Sequence, residues 1–124
     1  MDFKDLLAYQ KGFELAMEIF HLSKFFPKEE KYSLTDQIRR STRSVCACIG
    51  ESYRKRLYPA HFISKLSDSD MENSETQVWL DFAFECEYLN GENHEKLTEK
   101  VKEIGKLLNY MILNPEKFGS KRLN

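Results

Sequence analysis

"SLTDQIRRSTRSVCACIGESYRKR" (residues 33–56) is the stretch that decides the fold. Leu34, Ile38, Val45 and Ile49 recur at helical spacing and, at about 100° per residue, share one side of a helix. Arg39, Arg40, Arg43 and Arg54 cluster on the opposite side. Lys55 and Arg56 leave that cluster near the helix end, where cations suit the negative end of the dipole. The spacing predicts an amphipathic helix over 34–56, with Ser33 at its N-cap and Asp36 completing a variant of the capping box. Cys46 and Cys48 fall on either side of the apolar stripe and face different ways. They can neither bridge each other nor share a metal ion, and they read as small fillers.

The flanking sequence continues the helical pattern. Upstream, a helix is predicted over 5–25. Leu6, Gln10, Phe13, Met17 and Phe20 form one stripe; Leu15, Ile19 and Leu22 form a second that widens the buried face. Pro27 ends this helix. Downstream, Pro59 suits the first turn of a third helix over 60–89, with Phe62, Leu66, Asn73, Gln77, Leu80 and Phe84 as its core stripe. Asn90-Gly91 reads as a C-cap for that helix. A fourth helix over 93–112 carries Leu97, Val101, Ile104, Leu108 and Met111. Asn114-Pro115 stops it, and 115–124 reads as a tail. No strand-like alternation is present. Four helices with short connections predict one all-α domain over 1–124, an antiparallel up-down-up-down four-helix bundle.

The totals narrow the function. The chain has 124 residues, one domain by size, and a net charge of −1, so it is no general polyanion binder. The halves differ: residues 1–58 carry eleven Lys/Arg against eight Asp/Glu, and residues 59–124 carry eight against twelve. Nucleic-acid affinity would have to come from a local patch. The three cysteines (46, 48 and 86) form no Cys-x-x-Cys pair, the N-terminus has no signal-peptide pattern, and no apolar run approaches a membrane span. These features predict a cytoplasmic protein without a membrane partner. A di-iron bundle needs two Glu-x-x-His pairs and two further glutamates; only Glu18 and His21 form such a pair. Phosphate-binding loops and nucleophile elbows are missing from the sequence. The expectation is a non-enzymatic protein with no catalytic residues, no metal and no cofactor.

Two faces remain as candidates for interaction. The arginines of the second helix read either as a solvated face or as a recognition ridge. Their planar forks suit RNA or DNA phosphates and a partner's carboxylates equally. The third helix offers a counterpart. Between residues 66 and 89 lie seven acids and no Lys or Arg. Asp68, Glu72 and Glu75 step by four and three, and Trp79 and Phe82 continue the row. Large aromatics beside carboxylates, away from the core stripe, point to an oligomer interface. The arginines could meet those acids within one subunit or across two.

Several motifs together are familiar. "FPKEEKYSLTDQIRRSTRSV" (26–45) resembles the signature of the 23S rRNA intervening-sequence proteins, a bacterial four-helix-bundle family. Phe26, Pro27, Glu30, Tyr32, Leu34, Thr35, Gln37, Ile38, Arg39 and Arg40 match it. "DLLAYQKGFELA", "ETQVWL" and "IGKLLNYMI" resemble the patterns of the other helices. The chain departs from the family's continuation at Cys46 for proline, Cys48 for asparagine, Gly50 for alanine and Ser52 for glycine. Losing that proline predicts a straighter helix. The resemblance implies a ring-like homo-oligomer, a homopentamer of four-helix protomers, and no catalytic residues. The family is related to the accessory variability determinant of diversity-generating retroelements, which adds nucleic acid to the implied partners.

Overall fold

The computed structural model describes residues 1–123. Four helices follow one another: α1 (Leu7–Ser23), α2 (Leu34–Arg54), α3 (Pro59–Glu85) and α4 (Gly91–Leu113). No strand occurs among the described residues. α1 packs on α2 and α4, and α3 packs on the same two helices, so the up-down-up-down order closes into a four-helix bundle. The α2–α3 seam is the most extensive.

The stripes of α2 and α4 lie where their spacing places them. Leu34, Ile38, Val45 and Ile49 are buried, as are Leu97, Val101, Ile104, Leu108 and Met111. Each such side chain contributes roughly 1.5–3 kcal/mol by leaving water. The α2–α3 seam adds a layer of small polar residues. Ser41 and Thr76 share a 2.8 Å hydrogen bond, and the Ser69 hydroxyl donates to the Val45 carbonyl at 2.9 Å. Thr42 donates to its own helix, at Ile38 O, and Asn73 Nδ2 reaches Val101 O on α4 at 2.9 Å. Hydroxyls this short let two backbones approach while remaining hydrogen-bonded, as burial demands.

In α3 the buried residues are Phe62, Leu66, Ser69, Glu72, Asn73, Thr76, Leu80 and Ala83, so the predicted row of large residues is only partly right. Gln77 is half-buried, and Phe84 is exposed and stacks on His94 with ring centroids 4.5 Å apart. The larger correction concerns α1. Its buried residues are Ala8, Gly12, Leu15, Ile19 and Ser23. Phe13 is 53% exposed and Met17 41%, although their spacing predicts the buried face, and Gln10 of the same stripe is exposed too. The cause is close approach to α2. A Cβ on Gly12 would lie 3.2 Å from Cys46 Sγ and 3.6 Å from Val45 Cγ1, so the helices meet on small residues and the large ones turn outward.

The helix ends differ in detail from the sequence reading. Ser33 does not cap α2 through its side chain. Instead Glu30 Oε1 accepts from the Leu34 N–H at 3.3 Å and from the Ser33 hydroxyl at 2.5 Å. Asn90 is the N-cap of α4, accepting from the Asn93 N–H at 2.7 Å, rather than the C-cap of α3. α3 closes with Glu87 in the left-handed region (φ 65°) and Tyr88 N–H donating to Ala83 O, a Schellman-type end without glycine. α2 runs unbroken through Cys46. The predicted tail is docked: Pro115–Phe118 forms a 3-10 turn, Pro115 and Ser120 are buried, and Gly119 (φ 86°) lies against Arg56.

Candidate functional site

α2 carries its arginines into two environments. Arg39 leans toward the end of α1. Its Nε donates to Ser23 Oγ at 2.8 Å, and its guanidinium sits 4.8 Å from the Phe20 ring centroid. Arg43 stands 5.8 Å from the same ring and Lys24 4.8 Å. Arg40 turns toward α3, where Glu72 Oε2 lies at 3.3 Å and Glu75 Oε2 at 3.5 Å. Glu72 is buried, and the neighbouring Glu72 carboxyl pushes the Glu75 carboxyl above the usual range, against the pull of Arg40. Arg54 is exposed near the other end of α2. Among the described residues, Arg39, Arg43 and Arg54 have no carboxylate within 4 Å.

The acidic row of α3 divides in a similar way. Glu72 and Glu75 are held by Arg40 in the same chain. Asp68 shares Lys65 with Glu51, at 3.9 Å and 2.8 Å respectively. Trp79 is half-buried against the core, its Nε1 enclosed with no acceptor, and its ring lies 6.2 Å from that of Phe82. Of the five residues assigned to an interface, Phe82 is the one that leaves a large apolar surface open, at 55% exposure. Sequence reasoning missed its neighbours Met71 and Val78, 57% and 47% exposed. Met71, Val78 and Phe82 lie within about 40° of one another on α3, a face that stepping by seven and four would have revealed.

Two grooves flank the arginines. The first, about 580 Å³, runs between α1 and α2. Tyr9, Phe13, Met17 and Phe20 form one wall, Cys46, Ala47 and Gly50 the floor, and Arg43 and Arg54 stand at its edge with Glu51 between them. The second, about 520 Å³, lies on the outer side of α2 among Lys31, Tyr32, Asp36, Arg39, Arg40, Arg43 and Ser44.

Burial pushes the Cys46 thiol up to about 11 and raises Cys48 too, so neither is a thiolate nucleophile near neutral pH. Burial also opposes the charge on Glu18, but Lys100 and Lys96 outweigh it and lower its carboxyl below the usual range. Glu18 therefore clips α1 to α4, while His21 is exposed beside Phe20. No group of three or more His, Cys, Asp or Glu side chains is placed to hold a metal among the described residues. Among the described residues no helix is long and apolar enough to cross a membrane.

An antiparallel four-helix bundle with its open chemistry on outer helix faces, rather than inside the core, defines the class. The chain belongs to the 23S rRNA-intervening sequence protein family, whose model matches residues 4–110. It is also similar to a solved structure, a protein with unknown function from the S23 ribosomal protein family of Bacteroides thetaiotaomicron. The two are 35% identical with a TM-score of 0.78, over 88% of this chain and 97% of that one. No curated protein matches this sequence.

Proposed function

We propose that this chain is a non-enzymatic, self-assembling helical protein in which the α1–α2 groove of one copy receives the exposed α3 face of the next. The observation that carries this is a pair of complementary apolar faces on opposite parts of one molecule. On one, Tyr9, Phe13, Met17 and Phe20 are edged by Arg43 and Arg54. On the other, Met71, Val78 and Phe82 are edged by Glu75 and Glu85, all on α3. The lengths agree: Tyr9 to Phe20, Arg43 to Arg54 and Met71 to Phe82 each span about 16 Å of helix. Different patches meeting head to tail generate a ring when the rotation closes. The test is sedimentation of the wild type at micromolar concentration: a defined oligomer is expected, and a strictly monomeric protein would contradict the proposal.

A second reading concerns nucleic acid. Among the described residues Arg39 and Arg43 have no carboxylate partner, and both are held over Phe20, which supports contact with RNA or DNA phosphates. Such binding releases counterions and weakens steeply with salt. An Arg39/Arg40→Ala variant should weaken salt-dependent binding while keeping its oligomeric mass, since neither residue lines the assembly groove. If the wild type binds nothing at low salt and the variant falls apart, these arginines instead join subunits.

A further inference from the structure

The second groove has features that the first lacks. Four cations line it, Lys31, Arg39, Arg40 and Arg43, against one carboxylate inside it, Asp36. Arg40 is engaged by Glu72 and Glu75 behind it; Arg39 and Arg43 are not so engaged. Their i, i+4 spacing puts the two on one face of α2, roughly 5–6 Å apart at Cβ. Arg39 is already oriented by Ser23 and Phe20, so less side-chain freedom is lost when it meets an oxyanion. At the rim stands Tyr32, 85% exposed, with Lys31 Nζ 5.2 Å from its ring centroid. No aromatic stacking partner from its own chain lies against that ring among the described residues.

We infer that this groove holds a nucleotide unit of single-stranded nucleic acid, with the base stacked on Tyr32 and the phosphate between Arg39 and Arg43. The inference rests on the nucleic-acid reading above and specifies its site and strand state. Aromatic rings offered at the surface bind unpaired bases, whose faces are free; in a duplex those faces are already stacked. Cations alone would serve either form. The groove lies beside the one assigned to assembly, with Arg43 lining both, and on its other side Tyr32 also lines a pocket with Trp79 and Phe82.

The experiment is fluorescence anisotropy with short labelled RNA and DNA strands and their duplexes, at about 50 mM and about 200 mM salt. It uses the full chain as wild type, Tyr32→Ala, Tyr32→Phe and Arg39→Ala. Because Tyr32 is exposed, its variants keep the fold, which circular dichroism checks. The expected result is single strands bound more tightly than duplex, with affinity falling about 5- to 150-fold in Tyr32→Ala and kept in Tyr32→Phe. Arg39→Ala should flatten the salt dependence. The RNA and DNA arms separate the two sources of the same chemistry. Equal affinity for duplex, or an unchanged Tyr32→Ala, overturns the inference and leaves the broader reading standing. Absence of binding to every probe at low salt overturns both.

Discussion

α2 lies between α1 and α3 and meets them differently. Toward α3 its seam is closed within one chain. Ser41, Ser69 and Thr76 satisfy their hydroxyls across or along the seam, and Arg40 meets Glu72 and Glu75 at the rim. Toward α1 the contact includes Gly12, set against Val45 and Cys46, and the large side chains lean out over an open groove. One side of α2 completes the fold; the other leaves apolar surface exposed, with Arg43 and Arg54 at its edge and no carboxylate against them among the described residues. Large apolar side chains on a helix are therefore no guide to its core when small residues let the backbone come closer.

The contrast can be broken by mutation. The largest effect belongs to the closed side. Phe62 is fully buried, and Phe62→Ala should cost about 3–5 kcal/mol in denaturant unfolding. Thr76→Leu would push methyl groups into the Ser41 contact and should cost about 1–3 kcal/mol. Arg40→Ala leaves the buried Glu72 carboxylate without its cation and should cost about 1–3 kcal/mol. On the open side, Phe13→Ala should change the stability of the isolated protomer by no more than about 0.5 kcal/mol. If Phe13→Ala destabilised the protomer as much as Phe62→Ala, the two sides would be equivalent and the contrast would fail.

The α1–α4 clip gives a smaller, pH-dependent effect. Burial opposes the charge of Glu18, yet Lys100 and Lys96 hold its folded-state pKa below the usual value. Its contribution is complete above the ordinary carboxylate range and is lost as pH falls through and below that range. Glu18→Gln should therefore flatten the acid limb of the stability–pH curve and leave the neutral-to-basic limb unchanged in shape. A parallel downward shift of the whole curve would mean that the charge of Glu18 has no such role.

Much of the fold was legible in the sequence. The stepping of Leu97 to Met111 and of Leu34 to Ile49 reports burial directly, because each of those large side chains faces the core. α1 and α3 were harder. Their contacts use Ala8, Gly12, Ser69 and Thr76, which carry little hydrophobic signal, so Phe13, Met17 and Phe84 drew the reading to the wrong faces. Helix ends were misread for a related reason. Glu30 caps α2 from outside the helix, and Asn90-Gly91 suits a start as well as a stop. The arginine cluster was visible, but its division was not: whether a guanidinium faces Glu72 or Phe20 depends on tertiary neighbours. The Met71–Val78–Phe82 face could have been found from spacing alone, and the acids beside it drew attention elsewhere.

The central claim, that the α1–α2 groove of one copy takes the α3 face of another, has a direct test. Phe13→Glu spoils the groove and keeps the α3 face; Phe82→Glu does the reverse. Each variant alone should run as a monomer by light scattering, and an equimolar mixture should form one-to-one heterodimers through the single intact junction. Variants that keep the wild-type oligomeric mass, or a mixture that stays monomeric, would contradict it.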